Sequence, residues 1–559
     1  MINKFTIGID YGTNSVRAIL INTANGRNTA SAVFNYRRGE NGILLDKADA
    51  NVARQSPLDY IEGFEYVVAK LLKQAKKIKN FSQDKIIGIG IDTTGSTPIP
   101  VTKELVPLAL VPEFKNNLNA QAWLWKDHSS MEEAQKITKI AECIRPQYLR
   151  KCGGTYSSEW FFSKIWHCLN IDKKVFDAAY SWVELADFMP AYICGITDVT
   201  KIKRCICAAG HKAMYSDQWQ GLPDKEFLSK LNPQMTDLRA RLYEKAYASN
   251  TKAGDLSKEY KKKFRLPSRI PVAVGAFDAH MGAVGAGIGK DILVKIIGTS
   301  SCDIMVSHKG QRIDDIPGVC GIVDGSVLPN CLGIEAGQSA VGDILNWFVT
   351  KVCEENSKYH DKLTRQGSRA KPGQTGLLAL DWNNGNRTIL IDAELTGLLI
   401  GQTLQTTRWE TYRALIEATA FGALKIIERI EEYGVRISKV INCGGIATKN
   451  PMFMQIYADV IGKPMLIAKS QETCALGAAI FAAVVGGAYS EVKNAQKNMC
   501  STKKKTYYPN KRNHLIYKQL YTLYKNLHDS FGTKEYKENL YHVMKELLQI
   551  KKGVLLENV

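Results

Sequence analysis

The sequence predicts an α/β protein built from two similar domains that face each other across a cleft. A chain of 559 residues is longer than one hydrophobic core usually serves, so two domains of roughly 250 residues each are expected. A strand, a Gly-Thr-x-Ser turn and a second strand occur at 5–21 and recur at 292–306, about half the chain later. Such a repeat indicates two related halves.

The first copy of this pattern is a strand–turn–strand unit. Its first strand ends at Asp10, and the turn reads Gly12-Thr13-Asn14-Ser15. Backbone N–H groups and hydroxyls converge in such a turn and can surround phosphate oxygens. The carboxylate of Asp10 could hold a magnesium ion, directly or through water. A single Gly-Thr turn is weak evidence, because many hairpins with such turns bind nothing.

The second copy carries the turn Gly298-Thr299-Ser300-Ser301 between two apolar strands. In both copies the turn is followed by one residue and then a charged residue before the apolar strand resumes. We interpret the two turns as phosphate-binding elements on opposite walls of a nucleotide cleft.

Several polar segments between the copies are candidates for a substrate pocket. A helical pattern at 56–80 and a buried strand at 85–91 lead to the polar turn 92–98, which begins at Asp92 and contains Ser96. Strand ends of this kind carry ligand sites in open α/β sheets. The segment 123–128, with Lys126 and Asp127, is either an exposed turn anchored by tryptophans or a polyol-binding patch. The local sequence does not decide between them.

Two further segments present polar groups from small-residue surroundings. The segment 153–160 is expected to start a helix capped by Ser157 or Ser158. The segment 208–212 reads as a turn that presents His211 and Lys212. A lone histidine such as His211 is expected to be structural, whereas the cation of Lys212 could reach a substrate hydroxyl.

Asp278 lies between a buried strand at 270–275 and a segment of small residues that ends at Gly287. The simplest interpretation is a helix N-cap, because the orphan N–H groups and the dipole of a helix start favour a carboxylate there. His280, two residues later, is expected to be structural.

The last third of the chain continues the alternation of strands and helices. An apolar strand ends at Glu335, and a long helix spans 409–433. At 440–450 a strand leads through Gly444 and Gly445 into a helix, and paired glycines let the backbone approach a flat ring such as adenine. The segment 372–387 is expected to form surface turns with a short strand. A buried helix is expected to begin at Cys474. The amphipathic tail from Asn513 is expected to be a packed terminal helix.

The composition is that of an ordinary globular protein, with 45% apolar and 23% charged residues. No apolar run reaches the ~18 residues that a membrane span needs. The first eight residues enter a strand pattern, which leaves no room for a signal peptide and favours a cytoplasmic location. The 13 cysteines match no zinc or redox spacing and are expected to be reduced and mostly buried.

The net charge of +19 raises the question of nucleic-acid binding. Lysines cluster at 73–79, 261–263 and 503–505, but these runs lack interleaved aromatic residues and accompany no binding module. They are better interpreted as solvated basic faces that help attract anionic substrates.

Taken together, the motifs resemble the FGGY family of carbohydrate kinases and, within it, the ribulokinase branch. The resemblance covers Phe5 to about Tyr489. One departure is a tryptophan two residues after Lys164, where the family usually has it at three; the tail beyond about Ser501 carries little resemblance. The motifs are Asp10-Tyr-Gly-Thr13, Thr94-Gly-Ser-Thr-Pro98, Leu124-Trp-Lys-Asp-His128, Tyr156-Ser-Ser-Glu-Trp160, Ala209-Gly-His-Lys212, Gly275-Ala-Phe-Asp278, Lys295-Ile-Ile-Gly-Thr-Ser300, Gly333-Ile-Glu-Ala-Gly-Gln-Ser339 and Gly444-Gly-Ile-Ala447.

The resemblance implies two ribonuclease H-like domains of the actin, hexokinase and heat-shock ATPase type. It also implies transfer of the ATP γ-phosphoryl group to the C5 hydroxyl of L-ribulose, a step of arabinose catabolism, with Asp278 as the base and Asp10 placing Mg²⁺. The implied nucleotide-binding residues are Gly12, Thr13, Asn14, Gly298, Thr299, Ser300, Gly444, Gly445, Lys449 and Asn450. The implied sugar-binding residues are Ser96, Lys126, Asp127, Lys212, Asp278 and Glu335.

The expected organisation is a sugar-binding and catalytic-base domain at 1–288, a nucleotide-binding domain at 289–500 and a helical extension at 501–559. The expected partners are a sugar and ATP, without nucleic acid or membrane, in a chain that forms a homodimer. Two other functions are kept open: a kinase for D-ribulose, xylulose or a polyol, and a sugar-independent ATPase of the actin type.

Overall fold

The computed structural model describes residues 4–79, 81–307, 311 and 313–556. The strands of the first half are β1 Phe5–Tyr11, β2 Ser15–Asn22, β3 Asn28–Asn35, β4 Leu44–Leu45, β5 Ala53–Gln55, β6 Ile86–Thr93, β7 Pro98–Val101, β8 Ala122–Trp123, β9 Ser181–Glu184, β10 Arg204–Cys205, β11 Ala246–Tyr247, β12 Lys252–Asp255, β13 Pro271–Ala273 and β14 Ala276–Phe277. Its helices are α1 Pro57–Ala75, α2 Met131–Ile144, α3 Pro146–Arg150, α4 Phe161–Ile171, α5 Lys173–Ala178, α6 Leu185–Ile193, α7 Ile206–Lys212, α8 Lys225–Leu231, α9 Pro233–Arg239, α10 Lys258–Phe264 and α11 Asp278–Ala286.

The second half has fewer strands and more long helices than the first. Its strands are β15 Ile292–Ile297, β16 Ser301–Val306, β17 Gly321–Asp324, β18 Leu332–Ala336, β19 Leu378–Leu380, β20 Leu398–Ile400, β21 Lys439–Cys443 and β22 Met465–Ile467. Its helices are α12 Gly342–Trp347, α13 Tyr359–Gly367, α14 Arg408–Glu432, α15 Gly445–Lys449, α16 Pro451–Ile461, α17 Thr473–Val485, α18 Val492–Met499, α19 Lys511–Gly532 and α20 Val543–Leu556.

The main sheets of the two halves have the same strand order. In the first, β3, β2 and β1 are antiparallel, and β6 and β13 follow as parallel strands, with β12 on the edge. In the second, β18, β16 and β15 are antiparallel, and β21 and β22 follow as parallel strands, with β17 on the edge. The prediction of a duplicated α/β fold with two ribonuclease H-like domains is therefore confirmed.

The halves exchange one helix each. Helix α11 of the first half packs against β15, β16 and β21, whereas α17 of the second half packs against β1 and β6, and the two helices contact each other along their length. Glycines permit this close approach: a Cβ on Gly8 would overlap the carbonyl of Ala475, and a Cβ on Gly477 would overlap that of Met281. The predicted division at 288/289 stays a prediction, because this exchange joins the two sheets through a shared layer.

Three details of the structure correct the sequence-based expectations. The segment 208–212 belongs to helix α7 rather than to a turn. Helix α4 begins at Phe161, with Trp160 at the N-cap position, so neither Ser157 nor Ser158 caps it. The segment 372–387 is not a set of surface turns throughout, because Trp382 is buried in the core of the second half.

Other expectations are confirmed at the level of single elements. Helix α1 covers most of the pattern at 56–80, and α19 buries Leu520, Leu523 and Leu527 as the amphipathic pattern predicts. Asn80 and the first three residues lie outside the described part of the chain. All 13 cysteines are free thiols, most of them buried. Among the described residues, no helix combines the length and the apolar character that crossing a membrane requires.

Candidate active site

Three carboxylates meet at the carboxyl ends of parallel strands in the first half. Strand pairing places Asp10 of β1 directly opposite Asp92 of β6, and Ala276 of β14 lies opposite Asp92 on the other side. Asp278 follows two residues later as the first residue of α11. It therefore starts the helix but is not its cap, which is Phe277; its Oδ1 accepts a hydrogen bond from the N–H of Ala279 at 2.6 Å.

The three carboxylates shift each other's protonation. Burial, reinforced by the negative charge of Asp10, raises the pKa of Asp278 to about 7. Burial and the same neighbour raise the pKa of Asp92 well above its usual range, and burial raises that of Asp10. Carboxylates this close cannot all ionise without a compensating cation. The free protein therefore holds a proton in this cluster, and Asp278 is poised to take or lose one near neutral pH.

The residues around Asp92 fit a hard divalent cation. Asp92 is fully buried, and no described residue donates a hydrogen bond to either of its oxygens. Ligand atoms of Asp10, Asp92 and Cys474 lie within 4.8 Å of one another. Carboxylate oxygens are the ligands that magnesium takes in proteins. Asp10 and Cys474 are partly exposed, whereas Asp92 is buried.

The first phosphate turn is held by side chains from neighbouring loops. The N–H of Gly12 donates to the carbonyl of Ser15 at 2.9 Å. Thr13 accepts hydrogen bonds at its hydroxyl from Trp125 at 3.1 Å and at its carbonyl from Gln55 at 2.5 Å. The side chain of Asn14 donates to the carbonyl of Asn41 at 2.7 Å. The turn is therefore rigid before any ligand binds.

The second phosphate turn is one residue shorter between its strands and is anchored differently. The last cross-strand pair is Ile297 with Ser301, whereas the first turn closes with Tyr11 and Val16. The carbonyl of Thr299 accepts from the N–H groups of Val341 and Asp343 at 2.8 and 3.1 Å, at the start of α12. Gly298 and Thr299 are exposed and Ser300 is half-buried, so the turn faces open space.

The glycine pair at 444–445 lies beside this second turn. Gly444 has φ +99°, and a Cβ there would overlap the carbonyl of Ile297, whereas a Cβ on Gly445 would meet open space. Lys449 ends α15 and is exposed. The amide of Asn450 caps α16, accepting from the N–H of Phe453 at 3.0 Å. Gly445 and Lys449 thus offer an open surface, while the side chain of Asn450 stabilises the start of α16.

Lys212 and Glu335 meet across the boundary between the halves. Lys212 ends α7 in the first half, Glu335 lies in β18 of the second, and the Nζ to Oε2 distance is 3.4 Å. Burial works to lower the pKa of Lys212, but Glu335 and weaker negative neighbours such as Glu159 together outweigh it, and the pKa is raised. Burial likewise works to raise the pKa of Glu335, but Lys212 and its other cationic neighbours hold it well below the usual range. Both groups are therefore ionised at neutral pH.

Aromatic rings line the same corner. The Nζ of Lys212 lies 5.2 Å from the ring centre of Trp160 and 5.9 Å from that of Phe277, the residue before Asp278. The hydroxyl of Tyr156 donates to the carbonyl of Lys212 at 2.6 Å and so fixes the end of α7. Charged hydrogen-bonding groups beside aromatic faces suit a small polyhydroxylated ligand.

Ser96 is held by a buried network. It has φ +33°, its hydroxyl donates to Oε1 of Glu184 at 3.1 Å, and its carbonyl accepts from Nζ of Lys164 at 2.8 Å. Burial lowers the pKa of Lys164 and raises that of Glu184. This network holds Ser96 in a backbone conformation that a non-glycine residue rarely adopts.

Asp127 is used by the protein itself. It has no exposed surface, pairs with the buried Arg54, and accepts from the N–H of Ala53 at 2.6 Å and the hydroxyl of Ser129 at 2.6 Å. These contacts give it a structural role and argue against the predicted contact with a sugar. The neighbouring Lys126 is half-buried, and its predicted role stays a prediction.

Some of these groups were not identified from the sequence. Asp92 carried a usable signal, because it ends a strand just as Asp10 does, but its pairing with Asp10 depends on the sheet register. The Lys164–Glu184 network and the pairing of His211 with His280 left no local pattern, because their partners lie far apart in the chain.

The two halves of the chain match the two domains of one protein family. Residues 5–285 match the N-terminal domain of the FGGY family of carbohydrate kinases, and residues 293–485 match its C-terminal domain. A ribulokinase from Vibrio parahaemolyticus is 40% identical over 545 residues, 94% of this chain and 95% of that protein. A ribulokinase from Halalkalibacterium halodurans is 38% identical over 553 residues, 95% of this chain and 96% of that protein.

Solved structures with the same fold include two other sugar or polyol kinases. The xylulose kinase from Rhodospirillum rubrum superposes with a TM-score of 0.78 at 19% identity, covering 94% of this chain and 99% of that one. The Plasmodium falciparum glycerol kinase with ADP gives a TM-score of 0.76 at 15% identity, covering 94% and 98%. At these identities the similarity concerns the fold alone.

Proposed function

The chain belongs to the FGGY family of carbohydrate kinases, and on that premise we propose that it transfers the γ-phosphoryl group of ATP to the C5 hydroxyl of L-ribulose. The observation that carries the proposal is the position of Asp278, a carboxylate with a pKa near neutral, between the acidic strand ends and the Lys212–Glu335 pair. The ribulokinases listed above, aligned over nearly their full length, support the choice of ribulose. This reaction would serve arabinose catabolism.

In this proposal Asp278 accepts the proton of the attacking sugar hydroxyl. Its raised pKa makes it a stronger base than an ordinary aspartate while leaving a large fraction ionised near neutral pH. The hydrogen bond from the N–H of Ala279 fixes one oxygen, so the other is free to face the hydroxyl. Alignment of donor and acceptor supplies most of the acceleration in phosphoryl transfer.

Asp10 would hold the magnesium that accompanies ATP, with Asp92 behind it. When bound, the ion neutralises charge that develops on the phosphate oxygens. The oxygens of Asp92 have no hydrogen-bond donor among the described residues, and a carboxylate oxygen of Asp10 lies within 4.8 Å, which suits this task. The bound cation would also remove the repulsion that raises the pKa of Asp278, since Asp10 contributes to that shift.

The nucleotide would lie between the two turns. Gly12, Thr13 and Asn14 would contact its phosphates from the first half, and Gly298, Thr299 and Ser300 from the second. Adenine would pack beside Gly444 and Gly445, with Lys449 and Asn450 at its edge. The open surface at Gly445 and the exposed second turn support this placement.

The sugar would lie on the other side of Asp278. Lys212 would donate to its hydroxyls, Glu335 would accept from them, and Ser96 would offer its hydroxyl oxygen, since its proton is directed to Glu184. Trp160 and Phe277 would cover carbon faces of the sugar. Lys126 is kept as a further candidate. Asp127 is not included among the sugar contacts because it is fully buried.

A coupled kinase assay across ketopentoses tests this proposal. The purified chain is given ATP and Mg²⁺ with L-ribulose, D-ribulose, xylulose or a polyol, and the largest kcat/KM is expected for L-ribulose. Product analysis by NMR should show phosphate on C5. A higher kcat/KM for xylulose or a polyol would show that this compound, and not L-ribulose, is the preferred substrate. ATP hydrolysis at the same rate without any sugar would favour the actin-type ATPase instead.

A matched pair of variants separates the sugar site from the nucleotide site in the same assay. Glu335→Gln removes the negative charge that faces the sugar and is expected to raise the KM for L-ribulose by about 10-fold or more. Thr299→Ala alters the second phosphate turn and should change the KM for ATP instead. The proposed assignment fails if both variants alter the same constant.

The proposal extends to the setting of the enzyme. A cytoplasmic location fits its use of ATP, and a homodimer is the assembly we expect. Light scattering on a size-exclusion column measures the mass in solution, and a mass equal to one chain of 62.2 kDa would reject the dimer.

A further inference from the structure

Arg387 carries a positive charge without a carboxylate partner. It is half-buried, and no carboxylate in the described part of the chain forms an ion pair with it. The arginines that are buried among the described residues each pair with a carboxylate, namely Arg54 with Asp127, Arg204 with Asp187, Arg239 with Glu244 and Arg413 with Glu417. Withdrawing a charge from water costs free energy unless an opposite charge offsets the loss, so this exception points to an anionic ligand.

The guanidinium of Arg387 leaves hydrogen-bond donors unused. Its Nη2 donates to the carbonyl of Ser301 at 2.8 Å and lies 3.8 Å from Sγ of Cys302. Its Nε is enclosed without an acceptor, whereas Nη1 is not enclosed and also has no acceptor among the described residues. An arginine presents its N–H groups in a planar fork that matches phosphate oxygens. The N–H groups of Nη1 can therefore bind oxygen atoms of a ligand.

Strand pairing shows on which face of the second sheet this guanidinium lies. Ile304 of β16 pairs with Glu335 of β18, so their side chains share a face. Cys302 precedes Ile304 by two residues and Gly337 follows Glu335 by two, so the alternation of side chains puts both on the same face. A Cβ on Gly337 would overlap Nη2 of Arg387. The guanidinium therefore lies on the face that carries Glu335.

Helix α11 covers this face of the sheet. It packs against β16, and its residues Met281 and Val284 belong to the same apolar cluster as Ile304. The first residue of the helix is Asp278. The guanidinium of Arg387 and the carboxylate of the proposed base are therefore on the same side of the second sheet.

The thiol of Cys302 lies among the charges of this corner. Burial raises the pKa of Cys302 to about 11, the charge of Arg387 works to lower it, and the charges of Glu335 and Asp278 add to the rise. Charges act on a titrating group in this way only when they are near it. Arg387, Glu335 and Asp278 thus surround one side chain.

The segment that carries Arg387 is held in place before any ligand binds. The hydroxyl of Thr388 accepts from the N–H of Gly337 at 3.2 Å. The side chain of Asn386 accepts from two N–H groups further along the segment, at 3.0 and 3.1 Å. Donors fixed in this way need no rearrangement when negative charge develops beside them.

We propose that Arg387 is a catalytic residue whose Nη1 donates hydrogen bonds to the outer oxygens of the phosphoryl group during its transfer. The proposal rests on the proposed function, because the turn 298–300 and Asp278 define where that group moves. The contact with Ser301 puts Arg387 directly behind this turn. A phosphoryl group that passes from the turn to a hydroxyl at Asp278 therefore passes Arg387.

The chemistry of the step is unchanged by this assignment. The bond from phosphorus to the oxygen shared with the β-phosphate breaks, and a bond to the C5 hydroxyl oxygen forms. ADP leaves with the shared oxygen, and the hydroxyl proton goes to Asp278. Arg387 keeps its protons, because a guanidinium does not deprotonate in proteins. Its charge stabilises the negative charge that spreads over the outer phosphoryl oxygens in the transition state.

Variants of Arg387 test the role through kcat. Arg387→Met removes the charge and the donors, so kcat with L-ribulose should fall ~10²–10³-fold, while the KM values for L-ribulose and ATP stay within about threefold. Arg387→Lys keeps a charge without the planar fork and should lose only about 10-fold. Arg145→Met, which breaks pairs with Asp224 and Glu226, is the matched control and should leave kcat within about twofold. A fall of less than about fivefold in Arg387→Met, or a loss confined to either KM, would overturn the proposal.

A transition-state analogue distinguishes this role from a merely structural one. Aluminium fluoride with ADP and L-ribulose imitates the phosphoryl group in transfer, and the wild-type protein should bind ADP more tightly in its presence. Arg387→Met should lose at least about 10-fold of this gain while binding ADP alone as the wild type does. Calorimetric titration measures both affinities. An equal gain in the two proteins, or an equal loss of affinity for ADP alone, would refute the proposal.

Failure of the proposed function gives a different result from failure of this assignment. A wild-type chain that phosphorylates none of the sugars in the coupled assay would reject the proposed function. A wild-type chain that is active on L-ribulose, together with wild-type kcat in Arg387→Met, would reject the role of Arg387 alone.

Discussion

The two halves of this protein share a strand order and a turn, but they differ in charge at the strand ends. In the first half, Asp10 and Asp92 face each other across paired parallel strands. The equivalent pair in the second half is Ile296 and Cys443. The two sheets therefore differ at equivalent strand ends. The first half has two carboxylates there, and the second half has an isoleucine and a cysteine.

The second half buries one lysine and one aspartate as an ion pair within its sheet. Lys295 and Asp303 are each about 1% exposed, and Nζ of Lys295 lies 2.8 and 2.9 Å from the two carboxylate oxygens, with Gln338 as a further partner at 2.9 Å. In the first half, Arg17 occupies the position of Asp303 after the turn and pairs with Glu472 at the surface. The first half therefore buries Asp92 without a hydrogen-bonding partner among the described residues, whereas the second half pairs Asp303 with Lys295.

The largest expected effect comes from Asp278 in the acidic cluster. Asp278→Asn keeps the size of the side chain but removes the base, so kcat should fall ~10²–10⁴-fold. Steady-state kinetics measures the loss, and titration with ATP should show unchanged affinity. Thr299→Ala in the second half is the matched control and should lower kcat far less. A wild-type kcat in the Asp278→Asn protein would show that Asp278 is not the base. It would also show that the two halves do not differ in their contribution to kcat.

The next effect concerns the buried ion pair of the second half. Lys295→Met leaves Asp303 charged and unpaired in the interior, so the free energy of unfolding should fall by ~3–5 kcal/mol. Arg17→Met breaks a partly exposed pair and should cost only ~0–1 kcal/mol. Calorimetric melting compares both variants with the parent. Lys295→Met combined with Asp303→Leu should recover most of the loss, and similar losses in the two single variants would contradict the comparison.

A smaller effect is expected from two glycines that differ in the space around them. Gly8→Ala pushes a methyl group into the carbonyl of Ala475 where α17 crosses β1, so the free energy of unfolding should fall by ~1–3 kcal/mol. Gly298→Ala, in the second turn, meets no atom within 4 Å and should change stability by less than ~0.5 kcal/mol. Denaturant midpoints measure both. Equal destabilisation would mean that α17 packs less closely against β1 than the structure shows.

The smallest effect is a gain of stability that depends on pH. Because the pKa of Asp278 rises from 3.8 to about 7 on folding, ionising it penalises the folded state. The penalty begins above pH 3.8, grows until about pH 7 and is then constant. Asp278→Asn should therefore stabilise the protein by ~1–2 kcal/mol at about pH 8 and by nothing at about pH 4, the gain being limited by partial exposure. A melting-temperature difference that does not change with pH would be inconsistent with the raised pKa.

Much of the fold was predictable because its signals are local. The repeated strand–turn–strand pattern, the buried strands and the glycine turns are written in consecutive residues, and the structure has each of them. Asp278, Lys212 and Glu335 were selected as site candidates from their motifs, and their roles stay predictions. The structure places Lys212 beside Glu335 and puts Asp278 at the same corner of the cleft as Phe277.

Other parts of the site could not be read from neighbouring residues. Asp127 looked like a sugar contact, but Arg54, some 70 residues earlier, buries it in an ion pair. His211 and His280 looked unrelated in the sequence, and only the folded chain shows that their rings meet. Helix α7 was taken for a turn because it has only seven residues and contains a glycine, while packing against β17 stabilises it.

The sequence by itself determined the duplicated α/β fold, the family and the residue types at the turns, because these depend on periodicity and on backbone chemistry over a few residues. The tertiary structure decided which carboxylates lie side by side at the strand ends, which lysine meets which glutamate, and which two histidines are in contact. These properties depend on distances of a few ångströms between residues far apart in the chain and on their removal from water. Register, burial and helix exchange set those distances, and none of the three is encoded in a single segment.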